Sequence, residues 1–194
     1  MKKRTIYILA FSLVFAFSCK KQAKEDKEVQ EKTTTTTETT ETVNEKKLKM
    51  ELQPKSGSNV KGNIVFTEKN GEVKMIAMIE NLEPGQHAIH IHEKADCSAE
   101  DGTSTGGHWN PTAQPHGKWG DAAGYHKGDI GNLTANEKGM AYLEFKTDEW
   151  CLGCGDKNKD IIGKSIIVHA AVDDFVSQPT GNAGGRISCG GIIQ

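Results

Sequence analysis

Three of the chain's seven histidines fall within residues 87–92, in the segment HAIHIH. Two of them, His90 and His92, alternate with isoleucines, and this alternation is typical of a β-strand. Residues two apart on a strand point to the same face, about 7 Å apart along the strand. The two imidazoles are therefore within reach of one metal ion. For this pair alone, the alternative is two solvated histidines on an exposed strand face.

Further ligand-type residues lie on the long segment 93–127, which has little strand character, and on the segments that follow it. In all, six histidines and one aspartate fall on three neighbouring segments: His90, His92, His108, His116, His126, Asp129 and His169. Imidazole suits both copper and zinc. Three histidines with one carboxylate fill a tetrahedral, structural zinc site, and the remaining histidines would supply a second ion. Each histidine alone could be solvated or hydrogen-bonded, but the set predicts a metal centre.

The elements that must position these residues are predicted to be β-strands. Eight short runs have strand character: 48–52, 59–68, 72–80, 85–93, 128–134, 139–145, 164–172 and 184–193. Asn70-Gly71 between the second and third runs is a strong hairpin signal, and residues 136–139 form another turn. Eight strands with glycine-rich turns and no helical period predict an all-β fold. The expected architecture is an eight-stranded Greek-key β-sandwich or flattened barrel with long metal-binding loops.

The N-terminal part of the sequence has a different character. Residues 1–19 begin with a basic stretch, continue with an apolar run too short to span a bilayer, and end at Cys19 in a lipobox-like context. This pattern predicts a signal peptide whose cysteine is lipidated; the alternative is an ordinary secretory signal with an incidental cysteine. Residues 20–46 are rich in threonine and charge and predict a disordered tether. Residues 47–194 are then a single domain with one core.

The overall charge argues against one class of partner. The formal net charge is −2, and the sequence has no basic stripe interleaved with aromatic residues. Nucleic-acid binding is therefore not expected.

Several motifs together resemble the copper/zinc superoxide dismutases: HAIHIHE, GGHWNP, HKGDIGNLT, IIGKSIIVHAAVDD and GNAGGRISCGG. The resemblance covers essentially all of residues 47–194. It implies bound copper and zinc ions and dismutation of superoxide to dioxygen and hydrogen peroxide. That family is itself an established example of β-sandwich architecture and of electrostatic steering of an anionic substrate.

The resemblance assigns a role to each position that matches the family's motifs. It implies a copper set of His90, His92, His108 and His169, and a zinc set of His108, His116, His126 and Asp129. His108 would bridge the two ions and carry a proton during the reaction. Asp173 would bond a ligand histidine of each metal, and Arg186 would attract and dock superoxide. Thr180 would line the channel mouth, and His87 would pack nearby without being a ligand.

The cysteines divide into a family pair and an unexplained pair. The resemblance implies a disulfide between Cys97 and Cys189, which an exported protein can form. Cys151 and Cys154 have no counterpart in the family pattern. They could form a local disulfide, half of a zinc site or a redox pair, and we favour the local disulfide.

Three functions remain in competition. The first is an exported superoxide dismutase, anchored by lipid to a membrane of the bacterial cell envelope, in the periplasm or at the cell surface. The second is a non-catalytic copper-binding or copper-chaperone module on the same fold, which would be expected to lack a copper ligand or Arg186. The third is a structural adhesion sandwich, which has no use for clustered imidazoles. Because every ligand and Arg186 are present, we favour the enzyme. The family's dimer contacts come from loops that differ here, so both a monomer and a homodimer stay open.

Overall fold

The computed structural model describes residues 45–194. Its strands are β1 (Lys46–Pro54), β2 (Lys61–Lys69), β3 (Glu72–Glu80), β4 (Gly85–His92), β5 (Gly131–Ala135), β6 (Ala141–Thr147), β7 (Ser165–His169) and β8 (Arg186–Gly191). A single turn of 3-10 helix, Thr103–Thr105, lies between β4 and β5. The predicted all-β class with eight strands is confirmed.

The strands form a closed, antiparallel barrel in the order β1-β2-β3-β6-β5-β4-β7-β8. Consecutive strands β3 and β4 are separated by β6 and β5, so their connection crosses the end of the barrel as in a Greek key. Strand pairing is short at two places in the barrel. β5 pairs with β6 only at Ala135–Ala141, and β1 pairs with β8 at two residue pairs. Brief pairings between longer ladders thus close the barrel.

The β2–β3 hairpin shows how local chemistry sets the register. Lys69 pairs with Glu72, so the loop contains only Asn70 and Gly71. Both loop residues have positive φ, 53° and 79°, which is the conformation of a type I′ turn and favours Asn-Gly. The register places Ile64 and Phe66 opposite Ala77 and Met75, and all four side chains are buried in the core.

Burial differs between the two sides of the barrel, and this difference positions the histidines. In β1, β2 and β3 buried and exposed residues alternate, so the outer faces of these strands meet solvent. The last six residues of β4 and all five of β7 are buried on both faces. Ile89 and Ile91 belong to the core cluster, so the alternating His90 and His92 lie on the outer face, where loops cover them.

Two disulfides fasten the loops. Cys97–Cys189 joins the long β4–β5 loop to β8 across 92 residues, and in the loop-entropy description a closure of that length stabilises the fold by roughly 4.6 kcal/mol. Cys151–Cys154 closes a short ring in the β6–β7 loop, residues 148–164. The pair that had no counterpart in the family pattern is thus bonded to itself.

The predicted signal peptide, Cys19 and most of the tether lie outside the described residues. At the other boundary, β1 begins at Lys46, one residue before the expected start of the domain at 47. Over residues 45–194 no helix is both long and apolar enough to cross a membrane.

The β6–β7 loop is folded around one carboxylate. Asp160 accepts hydrogen bonds from the backbone N–H groups of Gly153, Gly155 and Ile162, at 2.9, 2.8 and 3.1 Å. Partial burial works to raise the pKa of Asp160, but these hydrogen bonds outweigh it and lower the pKa below its usual value. Its stabilising effect is therefore present above the unfolded pKa, near 3.8, and is lost as the pH falls through the lower folded pKa.

Asp160→Asn is accordingly expected to reduce the free energy of unfolding by about 2 kcal/mol at pH 7, because the amide keeps one neutral acceptor oxygen but loses the charge and the acceptor that Oδ2 offers to Gly155. The difference from the unmutated protein should shrink below pH 4. Urea unfolding of the metal-free protein at pH 7 and pH 3 measures it, with exposed Asp121→Asn as the control. An equal loss at both pH values would contradict this explanation.

Candidate metal centre

Strand pairing brings three histidines from two strands onto one face. Antiparallel β4 and β7 align His90 with Ile167 and His92 with Ser165, and His169 ends β7. The Nε2 atoms of His92 and His169 lie 3.4 Å apart, and the His90 and His169 ring centroids are 5.1 Å apart. The strand register alone therefore clusters three imidazoles.

The long β4–β5 loop brings the fourth imidazole to this face. His108 forms an isolated antiparallel bridge with His92, and the N–H of Trp109 donates to the carbonyl of Ile91 at 2.8 Å. The ring centroid of His108 is 4.0 Å from that of His90 and 5.6 Å from that of His126. His108 thus lies between the strand histidines and the loop histidines.

The side chains form two ligand sets that share His108. One set is His90, His92, His108 and His169; the other is His108, His116, His126 and Asp129. In each set one possible ligand atom per residue lies within 4.8 Å of all the others, and every member is buried. The structure therefore brings together all seven residues that the sequence singled out.

Hydrogen bonds orient the rings so that one nitrogen of each faces its set. His92 Nδ1 lies 3.0 Å from the carbonyl oxygen of Gly106, and His169 Nδ1 lies 3.3 Å from that of Gly184. The Nε2 atoms of both rings therefore point into the space between the rings, where they can bind a metal ion. Such bonds to the outer nitrogen set the tautomer of a metal-binding histidine.

Asp173 orients one ring of each set. Its Oδ2 atom is 2.8 Å from His90 Nε2, and its Oδ1 atom is 2.9 Å from His116 Nε2. Gly181, with φ 64°, lies so close that a Cβ there would be 1.9 Å from Asp173 Oδ1 and 2.6 Å from His116 Nε2. Only glycine fits this approach. Gly181 was not among the predicted site residues, and its only sequence signal is the turn-type pair Gly181-Asn182.

Buried nitrogens without partners show what the two sets are suited to hold. Among the described residues, His90 Nδ1 and His108 Nε2 point into the sets without a hydrogen-bond partner. His116 Nδ1 and His126 Nδ1 also point inward, and each lies near an oxygen of Asp129, at 3.0 and 3.2 Å. Burying an unpaired polar atom is unfavourable, so these atoms call for ligands. A four-imidazole set fits copper, and a set of three imidazoles and one carboxylate fits zinc.

The electrostatics of the two sets differ. Burial, with further effects from neighbouring histidines, lowers the pKa values of His92 and His169 well below the usual value. Burial likewise lowers the pKa of His108 to about 4, although Asp129 opposes it. These rings are neutral at pH 7, and the neutral ring is the form that binds metal.

Two neighbouring carboxylates determine the direction of the pKa shift of His116. Burial opposes its charge, but the neighbouring Asp129 and Asp173 outweigh burial and raise the pKa of His116 to about 9. Burial would raise the pKa values of both aspartates, yet contacts with the histidines hold them well below the usual range. The metal-free site therefore holds a proton on His116 that a cation would displace.

Arg186 is fixed beside the first set. Its guanidinium donates to the carbonyls of Gly102 and Gly106 at 2.8 and 2.9 Å, and to the hydroxyl of Thr105 at 2.7 Å. The Gly106 carbonyl is also the partner of His92 Nδ1, so the cation and a ring of the four-histidine set share one acceptor. Thr105 and these carbonyls were not among the predicted site residues, because a backbone carbonyl has no sequence signature.

Two other predicted residues lie at the edge of the centre. His87 belongs to neither set: its ring nitrogens lie 3.0 Å from the carbonyl oxygen of His169 and 2.8 Å from that of Glu83. Thr180 is half-buried in the β7–β8 loop, next to Gly181.

Comparisons with known proteins agree with this geometry. The family model described as copper/zinc superoxide dismutase matches residues 60–192. An extracellular Cu-Zn superoxide dismutase of Drosophila melanogaster is 39% identical over 143 residues, covering 70% of this chain and 76% of that protein.

Solved structures show the same fold. A SOD-like protein from Bacillus subtilis, in a double mutant where a tyrosine and a proline are replaced by histidine, is 32% identical with a TM-score of 0.67. That match covers 75% of this chain and 97% of the other. The clock protein EA4 is 35% identical with a TM-score of 0.65, over 76% of this chain and 94% of the other.

Proposed function

The chain belongs to the copper/zinc superoxide dismutase family, and we propose that it dismutates superoxide at a copper ion that His108 bridges to a zinc ion. In this proposal His90, His92, His108 and His169 bind copper. His108, His116, His126 and Asp129 bind zinc. The observation that carries the proposal is the pair of buried ligand sets that share one histidine and contain unpaired ring nitrogens.

Copper held by His90, His92, His108 and His169 would supply one-electron redox chemistry, by which one superoxide would be oxidised to dioxygen and a second, with two protons, reduced to hydrogen peroxide. Zinc has no redox role. The zinc set instead holds the ring of His108, whose Nδ1 is 2.9 Å from Asp129 Oδ1.

The residues around the copper set handle the substrate and a proton. The guanidinium of Arg186, held by three hydrogen bonds, binds the superoxide anion and raises its local concentration. His108 Nε2 points into the copper set and can hold a proton and donate it to the second superoxide.

The decay of superoxide absorbance tests this function. The protein loaded with copper and zinc should remove superoxide catalytically, and the metal-free protein should not. Arg186→Ala should retain both metals but lose at least about tenfold in rate, together with most of the dependence of the rate on ionic strength. Metal uptake without turnover would favour the copper-binding module instead, and unchanged kinetics in Arg186→Ala would rule out the docking role.

The location of the protein forms part of the proposal. Two disulfides and a relative described as extracellular support export from the cytoplasm. We further propose that Cys19 carries a lipid anchor and that residues 20–46 tether the metal-binding domain to a membrane of the cell envelope.

A further inference from the structure

The β6–β7 loop lies against the turn that carries two of the proposed zinc ligands. Glu149 contacts both chain neighbours of His126: the hydroxyl of Tyr125 donates to Oε1 at 2.6 Å, and the ammonium of Lys127 pairs with Oε2. The Glu149–Lys127 pair is largely withdrawn from solvent, with 29% and 20% of the two side chains exposed. One carboxylate therefore restrains the chain on both sides of His126.

Trp150 adds a second restraint on the same turn. Its indole N–H donates to the carbonyl of Lys127 at 2.8 Å, and the residue is 1% exposed. The indole packs edge-on against Trp119 at 5.6 Å and lies 5.0 Å from the ring of Phe145 in β6. Trp119 in turn lies 4.9 Å from Tyr125, so the contacts link the barrel wall to the loop around His126.

The opposite side of the turn is tied to the strands. The N–H of Gly128 donates to the carbonyl of Trp109 at 3.0 Å, and the N–H of Ile91 in β4 donates to the carbonyl of Gly128 at 2.9 Å. Within the turn, the N–H of His126 donates to Asp129 Oδ2 at 2.8 Å. The turn is thus held between β4 on one side and Glu149 and Trp150 on the other.

The Cys151–Cys154 disulfide lies next to these two residues in the chain. The N–H of Cys151 donates to the carbonyl of Lys159 at 2.8 Å, and its carbonyl accepts from Ile161. Leu152 is fixed to the barrel, because its N–H donates to Glu68 and its carbonyl accepts from Lys46. The bridge and these anchors restrain the backbone from which Glu149 and Trp150 extend.

We propose that Glu149 and Trp150 are positioning residues for zinc, and that the Cys151–Cys154 disulfide holds them so that its reduction loosens the zinc ion. The proposal rests on the zinc site proposed above. It gives a role to the cysteine pair that the family pattern leaves unexplained.

The redox step is a thiol–disulfide exchange with a dithiol reductant. Because Cys154 is exposed, an incoming thiolate can reach the bridge and form a mixed disulfide with one sulfur. The second thiol of the reductant then displaces that sulfur. In total, two electrons and two protons pass from the reductant to the protein. The protein ends with two thiols, and the reductant ends with a disulfide.

The rate of zinc release from the full-length, copper- and zinc-loaded protein tests the proposal. Zinc is captured by an excess of a chromogenic chelator at pH 7.4, and the copper that remains bound is measured in the same sample. Glu149→Gln should release zinc about tenfold faster, because charge-assisted bonds are lost. Trp150→Phe, which keeps the ring but not the N–H, should release it several-fold faster. The control is Glu144→Gln, because Glu144 is exposed and pairs with Lys146 on the outer face of β6. Its rate of zinc release should be within about twofold of that of the unmutated protein.

The disulfide is tested by a variant and by a reductant. The double variant Cys151→Ser, Cys154→Ser should release zinc several-fold faster than the unmutated protein. A dithiol should accelerate zinc release from the unmutated protein more than from the double variant, in which only Cys97–Cys189 can be reduced.

The outcomes separate this inference from the function on which it rests. Unchanged zinc release in Glu149→Gln, or parallel loss of copper and zinc in the variants, would overturn the positioning role. An unmutated protein that takes up no zinc would overturn the proposed zinc site and this inference with it.

Discussion

Replacing His169 with alanine should abolish superoxide dismutation while leaving zinc bound. His169 belongs to the copper set alone, where its Nε2 lies 3.4 Å from His92 Nε2. Changing a residue that only orients a ligand typically costs 10–100-fold in metal affinity or activity, so the loss of a ligand should exceed about a hundredfold. Metal analysis after dialysis, combined with superoxide decay, measures both effects.

His126→Ala is the reciprocal control for this prediction. His126 belongs to the zinc set alone, so this variant should lose zinc and keep copper. If His169→Ala retained copper and rapid turnover, the assignment of the copper set would be wrong. Loss of both metals in both variants would show that the two sites do not form separately.

Replacing Asp173 with alanine should weaken the binding of both metals, by about 10–100-fold in each dissociation constant. One carboxylate bonds His90 of the copper set and His116 of the zinc set, at 2.8 and 2.9 Å. Its removal leaves both rings without the acceptor that fixes their orientation. Competition with chelators of known affinity gives the two dissociation constants.

Asp174→Ala is the matched control for Asp173. Its carboxylate bonds Ser177 and Asn182 within its own loop and is exposed. We expect both metal affinities to change by less than about threefold, because this carboxylate bonds no histidine of either set. A loss confined to one metal in Asp173→Ala would mean that the carboxylate orients only one ring.

Much of the fold could be predicted because strand signals are local. Alternation in the segment EVKMIAMIE and the Asn-Gly turn before it are properties of neighbouring residues, and the β2–β3 hairpin follows from them. The barrel's two short seams, at Ala135–Ala141 and between β1 and β8, depend on how the whole sheet curls. No short segment encodes that curvature.

The chain's own sequence determined which residues could bind metal, because ligand chemistry resides in residue types. It placed His90 and His92 on one strand face, and the resemblance to a known family sorted the remaining ligands and Asp173. Only the tertiary structure decided which nitrogen of each ring is left unpaired, since the partners are often backbone atoms far away in the chain. Gly106 is such a partner, shared by His92 and Arg186.

The same reason explains why the contacts that hold the turn around His126 in place were not predicted from the sequence. Tyr125 and Glu149 are 24 residues apart, and Lys127 and Trp150 are 23 apart. Each contact exists only because two loops without regular periodicity pass close to one another over β6. Residue types encode the chemistry that a site can perform, whereas loop paths, set by long-range packing, decide which side chains and carbonyls hold it in place.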